Sequence, residues 1–242
     1  MLLRCLKAEG MKCRRSPVWL AFLVMPLFPA VLGTVNYLGN TEVLENGWYS
    51  LWSQHTLFSS MFFLPAQFGV FCAWQWRLEH TDRNWNSFMT APVPARDLCL
   101  AHLILAAGVS LLAQVSIAIL FLISGKVAGI SAPVPPELGN WVLLGTVGGI
   151  SVCAVHLLLS LIIRAFAPPV AIGLIGGIGG LMLTAYGYGY AFPYSLLCLG
   201  MRANNPAMVL DLAPFLLSVF LYTALCTVLS IRVLSHRDVT AE

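Results

Sequence analysis

The sequence predicts an all-α membrane protein with six transmembrane helices, both termini cytoplasmic, in one membrane domain covering residues 1–242. Three observations carry that prediction. Hydrophobic residues make up 59% of the chain and charged ones only 10%, with a mean hydropathy of +0.83, whereas about a quarter of a soluble domain is charged. Six apolar runs each reach the ~20 residues that a helix needs to cross the hydrocarbon. Finally, 11 of the 13 lysines and arginines fall in segments that alternate onto one side, as the retention of positive charge in the cytoplasm requires.

Taken in order, the basic start "MLLRCLKAEGMKCRRS" suits an interfacial helix, with Leu2, Leu3 and Leu6 on one side and Arg4 and Lys7 toward anionic headgroups. Each such cation contributes about 1 kcal/mol near that surface. The first span, about 17–38, is longer than the apolar core of a signal peptide, and Pro29 and Val31 beside Ala30 make a poor cleavage site, so it stays attached. The second span covers about 54–76. Prolines 26, 29 and 65 remove ladder donors and predict kinks in these two spans. The third, about 98–124, is long enough to tilt, and the fourth covers about 138–163. The fifth, about 168–190, starts behind Pro168 and Pro169, where a missing amide hydrogen has no cost. The sixth, about 212–234, has Pro214 near its start. With the N-terminus inside, only Lys126 and Arg202 among the basic residues lie outside, so the net charge of +3 reports topology rather than a nucleic-acid partner.

Within the spans, glycines recur at small-xxx-small spacing: Gly173/Gly177 and Gly176/Gly180 in the fifth, Gly145/Gly149 in the fourth. They allow close backbone approach, within the chain or between subunits. No Asp, Glu, Lys or Arg lies centrally in any span, which argues against ion-coupled carriers and pumps, whose cargo needs charged stations at depth. Gln114 is expected to hydrogen-bond between helices, and His156 to be a neutral, packed imidazole. Ser151 and His156 lie about 140° apart on one helix, too far round for a hydrolytic pair. Around Gly125-Lys126, Leu120 and Val127 stand where a phosphate loop needs glycine and Ser or Thr. Nucleotide is therefore bound by another chain, and no cofactor or metal site is indicated here. Of seven cysteines, Cys198 alone is read as external and open to impermeant thiol reagents. Tyr186, Tyr188, Tyr190 and Tyr194 are read as an interfacial aromatic belt.

The longest cytoplasmic connection, Glu79 to Asp97, holds five of the 23 charged residues in "EHTDRNWNSFMTAPVPARD". Thr81 or Asp82 can cap a short helix, Asp82 also favours its dipole, and Pro92 and Pro94 stop it. On that helix Trp85, Phe88 and Met89 form a compact apolar stripe beside Arg83. Lipid or a protein could receive it.

"WRLEHTDRNWNSFMTAPVPARDLCLAH" resembles the first cytoplasmic loop of ATP-binding-cassette type 2 permeases, particularly the lantibiotic-immunity and bacitracin-export branch. Glu79, Trp85, Pro92 and Arg96 match that loop, and the opening with Glu9 before a proline-bearing span is similar too. Where the family often has lysine, this chain has His102, so the salt link of that lysine is not carried over. The resemblance implies a permease subunit in the plasma membrane that works with a separate cytoplasmic ABC ATPase subunit, which binds the ATP, and with a second permease chain, identical or sister. Glu79, Asp82, Arg83, Trp85, Phe88, Met89, Pro92 and Arg96 would form the loop that couples to the ATPase. An amphiphilic antimicrobial peptide would be the cargo, and "AFPYSLLCLGMRANNPAMVLDLAP" would form short re-entrant helices near its exit. The competing expectation is a six-span scaffold that uses the same loop to bind a partner and moves nothing.

Overall fold

The computed structural model describes residues 1–14, 16–80 and 93–236. Among the described residues, ten α-helices follow one another. α1 (Leu2–Arg14) precedes a first span made of α2 (Val18–Val24) and α3 (Leu27–Gly39). The second span is α4 (Trp48–Phe58), a π-helical turn at Ser59–Phe63, and α5 (Leu64–His80). α6 (Ala95–Val127), α7 (Leu138–Ile162) and α8 (Ala167–Ala185) are spans three to five. The short α9 (Pro193–Met201) precedes the sixth span, α10 (Leu212–His236). Six of these segments are long and apolar enough to cross a membrane. α1 lies at one end of the bundle and α9 at the other.

The irregularities have local causes. Pro26 interrupts the first span between α2 and α3, because it offers no amide to the turn before it; Pro29 is absorbed in the first turn of α3, where no donor is needed. In the second span Pro65 likewise leaves the Met61 carbonyl without its usual donor, and the chain widens into a π turn just before it. Spans two and three are longer than their apolar runs, since the helices continue through Trp48–Ser53 at one end and Ala95–Asp97 at the other. The interior is unevenly shared. Two thirds of the second span's most apolar window and 61% of the fourth's are buried, against 17% of the sixth's. Spans two and four are thus the hub, and span six is the one least covered by the rest of the chain.

Glycines decide how close the hub can be. Gly173 places its α-carbon against the Pro65 carbonyl, where a Cβ would come within 2.6 Å, and Gly177 lies over the Met61 carbonyl. Gly176 and Gly180 turn to α9 instead, where Cβ atoms would meet the Tyr194 ring at 2.5 Å and the Tyr194 Cβ at 2.8 Å. The two pairs therefore face two different neighbours within the chain. Gly148 lies against the backbone of Leu196, and Gly200 against that of Leu144, so α9 and α7 touch main chain to main chain. All nine residues of α9 are buried.

That placement corrects two expectations. Cys198 lies in α9 at 0% exposure, so it is shielded from aqueous reagents. Tyr194 is 3% exposed and 3.2 Å from His156 Nε2; it belongs to the core, whereas Tyr186 and Tyr188 are exposed as a belt requires. Ser151 bonds the Gly148 carbonyl at 2.7 Å, away from His156. Gln114 differs from expectation as well: its amide packs against Gly145 and finds no hydrogen-bond partner among the described residues.

Candidate coupling site

Only part of the sequence-predicted loop is described. Asp82, Arg83, Trp85, Phe88, Met89 and Pro92 lie outside the described residues; Glu79 and Arg96 flank them. Arg96 is exposed on the first turn of α6, where the helix dipole disfavours a cation. Glu79 lies in the last turn of α5 and is 5% exposed. A carboxylate buried so deeply requires partners.

Those partners come from α1. Lys12 Nζ donates to Glu79 Oε1 at 2.5 Å and to Glu9 Oε1 at 2.7 Å. The other oxygen of Glu9 lies 3.3 Å from Nε2 of His102, in the third turn of α6 and wholly buried. Since an ionised carboxylate only accepts, His102 is the donor. His102 is fixed in turn by the edge of Trp76, ring centroids 4.5 Å apart, and its carbonyl accepts from Gln75 Nε2 at 3.4 Å. The result is a chain of four polar side chains, His102–Glu9–Lys12–Glu79. It ties both flanks of the 81–92 segment to one helix.

The electrostatics follow from burial and neighbours. Burial alone would push the Glu9 carboxyl up; the His102 hydrogen bond and charge, then Lys12, overcome it and hold Glu9 below its ordinary value. Burial likewise works against the Lys12 ammonium, and the bonds to Glu79 and Glu9 raise it above its ordinary value. Removing one member of a fully buried ion pair costs about 3–5 kcal/mol. The Lys12 side chain is 37% exposed, which brings its links toward the ~1 kcal/mol of solvated pairs; the buried Glu9–His102 hydrogen bond is worth about 1–3 kcal/mol. α1 passes the constraint on to the first span, because Trp19 Nε1 donates to the Cys13 carbonyl at 2.7 Å across the elbow.

Sequence reasoning identified Glu79 and Glu9 but not their bridge. Of the three leucines only Leu3 is turned away from the protein, at 80% exposure; Leu2 and Leu6 are half-buried at the edge of the buried face, which Cys5, Glu9 and Cys13 form. The i, i+4, i+8 spacing of Cys5, Glu9 and Cys13 was the available signal. His102, where a lysine link was not carried over, supplies a link of its own.

Residues 5–180, well over half of the chain, match the family model described as ABC-2 family transporter protein. No curated protein matches the chain.

Proposed function

Because the chain belongs to the ABC-2 family of transporter proteins, a family of membrane permease subunits that work with a partner ATPase, we propose that it is the permease of an exporter that expels an amphiphilic antimicrobial peptide. Both termini face the cytoplasm of a cell whose plasma membrane the chain spans, and a second permease chain, identical or sister, completes the pathway. The ATPase docks on residues 79–96. Trp85 and Phe88, with Met89, anchor in its groove; Asp82, Arg83 and the exposed Arg96 form the polar rim that a soluble partner needs around such an anchor. Pro92 ends the docking element.

One observation supports this reading above the others: Glu79 on one flank of the segment and His102 beyond the other are bonded to the same helix. A displacement of the segment by ATP-driven closure thereby reaches α1, and through the Trp19–Cys13 bond the lower half of the first span, which Pro26 separates from α3.

The test is a pull-down of the tagged full chain from native membranes in mild detergent. An ABC ATPase in the eluate, lost on Trp85→Ala with membrane insertion unchanged, is the expected result. An eluate free of ATPase in repeated preparations refutes the coupling role and leaves the scaffold reading. For the cargo, cells carrying the complex should tolerate a lantibiotic better than cells with Glu79→Ala; equal tolerance refutes the peptide.

A further inference from the structure

The polar chain His102–Glu9–Lys12–Glu79 leaves one buried atom with an obligation unmet. His102 is wholly buried, and its Nε2 is committed to Glu9. Nδ1 of the same ring has no hydrogen-bond partner among the described residues. A neutral ring that donates through Nε2 keeps an acceptor lone pair at Nδ1, and a charged ring carries a second donor there. Buried polar atoms of either kind are paired with protein or with ordered water in the great majority of folded chains.

Room for such a partner lies beside the ring. A recess of about 10 Å³ is bounded by Cys99, His102, Ala154, Leu157, Thr227 and Ser230, where α6, α7 and α10 meet. One water molecule requires about 10–15 Å³ measured in this way, and two to four polar partners. The lining supplies them. Thr227 and Ser230 give their hydroxyl hydrogens to the carbonyls of Thr223 and Cys226, one turn back on α10, at 2.7 and 2.8 Å. Each oxygen keeps lone pairs for a donor from outside the helix, and the buried Cys99 thiol is a weak donor. Ala154 and Leu157 form the apolar wall. His156 is a useful contrast. Its Nδ1 also lacks a partner among the described residues, but its ring takes up the room left by Gly69 and Gly173, where a Cβ would come within 3.2 and 3.1 Å of it.

We propose that the recess holds one water molecule, which joins His102 Nδ1 to the Thr227 and Ser230 hydroxyls and so extends the polar chain of α1 to the sixth span. With His102 neutral, the water gives one hydrogen to Nδ1 and the other to a hydroxyl oxygen of α10, and takes the thiol hydrogen of Cys99. Those three bonds match the ~3 that buried waters make. The volume admits nothing larger, and none of the six residues is acidic, so the recess does not select a cation. The sixth span is the one least covered by the rest of the chain, and the water ties it to a helix that flanks residues 81–92. Thr227 and Ser230 are thus positioning residues, acting on His102 through the water. That a displacement of the docking segment reaches the sixth span by this route rests on the coupling reading, whereas the water rests on the geometry of the recess alone.

The experiment is solid-state NMR of the full chain in lipid bilayers, with isotope-labelled histidine. It reads polarisation passed from water protons to the ring nitrogens, the signals being assigned with His102→Leu and His156→Leu. Transfer to His102 Nδ1 is expected to exceed transfer to His156 Nδ1 at least about threefold. Thr227→Val combined with Ser230→Ala removes both hydroxyls at nearly unchanged volume and should lower the His102 transfer at least about threefold. Ala154→Val, which fills the recess and keeps the hydroxyls, should lower it equally; if that variant does not fold, the Thr227→Val, Ser230→Ala pair decides. Equal transfer to the two histidines would overturn the proposal. So would a His102 signal that survives the loss of both hydroxyls or persists in folded Ala154→Val. An ATPase that fails to copurify sinks the coupling reading and leaves this result standing, and the converse holds too.

Discussion

The two ends of the bundle are held in different ways. Where α1 meets the second and third spans, contact runs through ionisable side chains, Glu9, Lys12, Glu79 and His102, over distances of 2.5–3.3 Å. Where α9 meets the fourth and fifth spans, contact is backbone on backbone, permitted by Gly148, Gly180 and Gly200. Long side chains can lengthen, exchange partners and re-form as a helix shifts, for a cost near that of one hydrogen bond. Main-chain contacts have no such slack, and packed interiors do not deform continuously. The contacts at the α1 end can therefore tolerate a displacement, and those at the α9 end resist one.

Substitutions that attack each end by its own principle can break this contrast. The largest loss of stability is expected from Gly148→Leu, which drives a side chain into the Leu196 backbone; overpacking of this kind costs about 3 kcal/mol or more where backbone cannot move. Thermal unfolding of the purified chain measures it, with Gly139→Leu, which has open space, as the reference. If the two variants melt alike, α9 is not rigidly seated. A smaller loss of stability, about 1–3 kcal/mol, is expected for His102→Leu, and His102→Lys should restore most of it by renewing the bond to Glu9. Equal melting of these two would show that the imidazole is held by packing alone.

Glu79→Ala should cost less still in unfolding, because Lys12 can turn to Glu9 and to water, yet lower export at least about tenfold while ATP hydrolysis persists. Export at the wild-type rate would detach the network from coupling. The pH response of Glu9 is the next smaller effect. Its carboxyl is held below its ordinary value and Lys12 above its own. Their contributions are therefore complete from about pH 5 to pH 10. Glu9's is lost as pH falls through its lowered value, and Lys12's as pH rises through its raised one. The stability gap between wild type and Glu9→Gln should thus be widest between these limits, closing in acid as Glu9 is protonated and narrowing in alkali as Lys12 loses its proton. A gap that changes between pH 6 and 8 would point to a group outside this pair. The smallest signal is expected from Cys198: in a variant whose other cysteines are serine, an impermeant maleimide should label it only after denaturation. Rapid labelling of the native protein would mean that α9 opens.

Much of this architecture was legible in the chain. Span number follows from local quantities, the length of an apolar run and the position of lysine and arginine, and the interruption at Pro26 follows from one missing amide. The spacing of Gly173, Gly176, Gly177 and Gly180 announced close approach. What it could not announce was that alternate members face different neighbours, the second span and α9. The candidate site was legible only where residues carry their meaning alone. Glu79 stood out as a charge at the end of an apolar run, but its bond to Lys12 joins residues 67 apart and the Glu9–His102 contact joins residues 93 apart. On α1 the leucines outweighed Cys5, Glu9 and Cys13 by hydrophobicity, although the buried face is the latter. Tyr194 was misread for the same reason: its partner His156 lies 38 residues earlier.

The π turn at Ser59–Phe63 acts as a phase setter. An α-helix advances about 100° per residue, so the extra residue in the wide turn rotates everything after it relative to everything before. Trp52 upstream must reach the Met201 carbonyl, and Glu79 downstream must reach Lys12; one straight helix of this composition would aim only one of them correctly. Deleting a single residue from 59–63 would repair the hydrogen-bond ladder and turn Glu79 about a quarter of the way round, away from α1. In this chain a locally better helix would be a disconnected one.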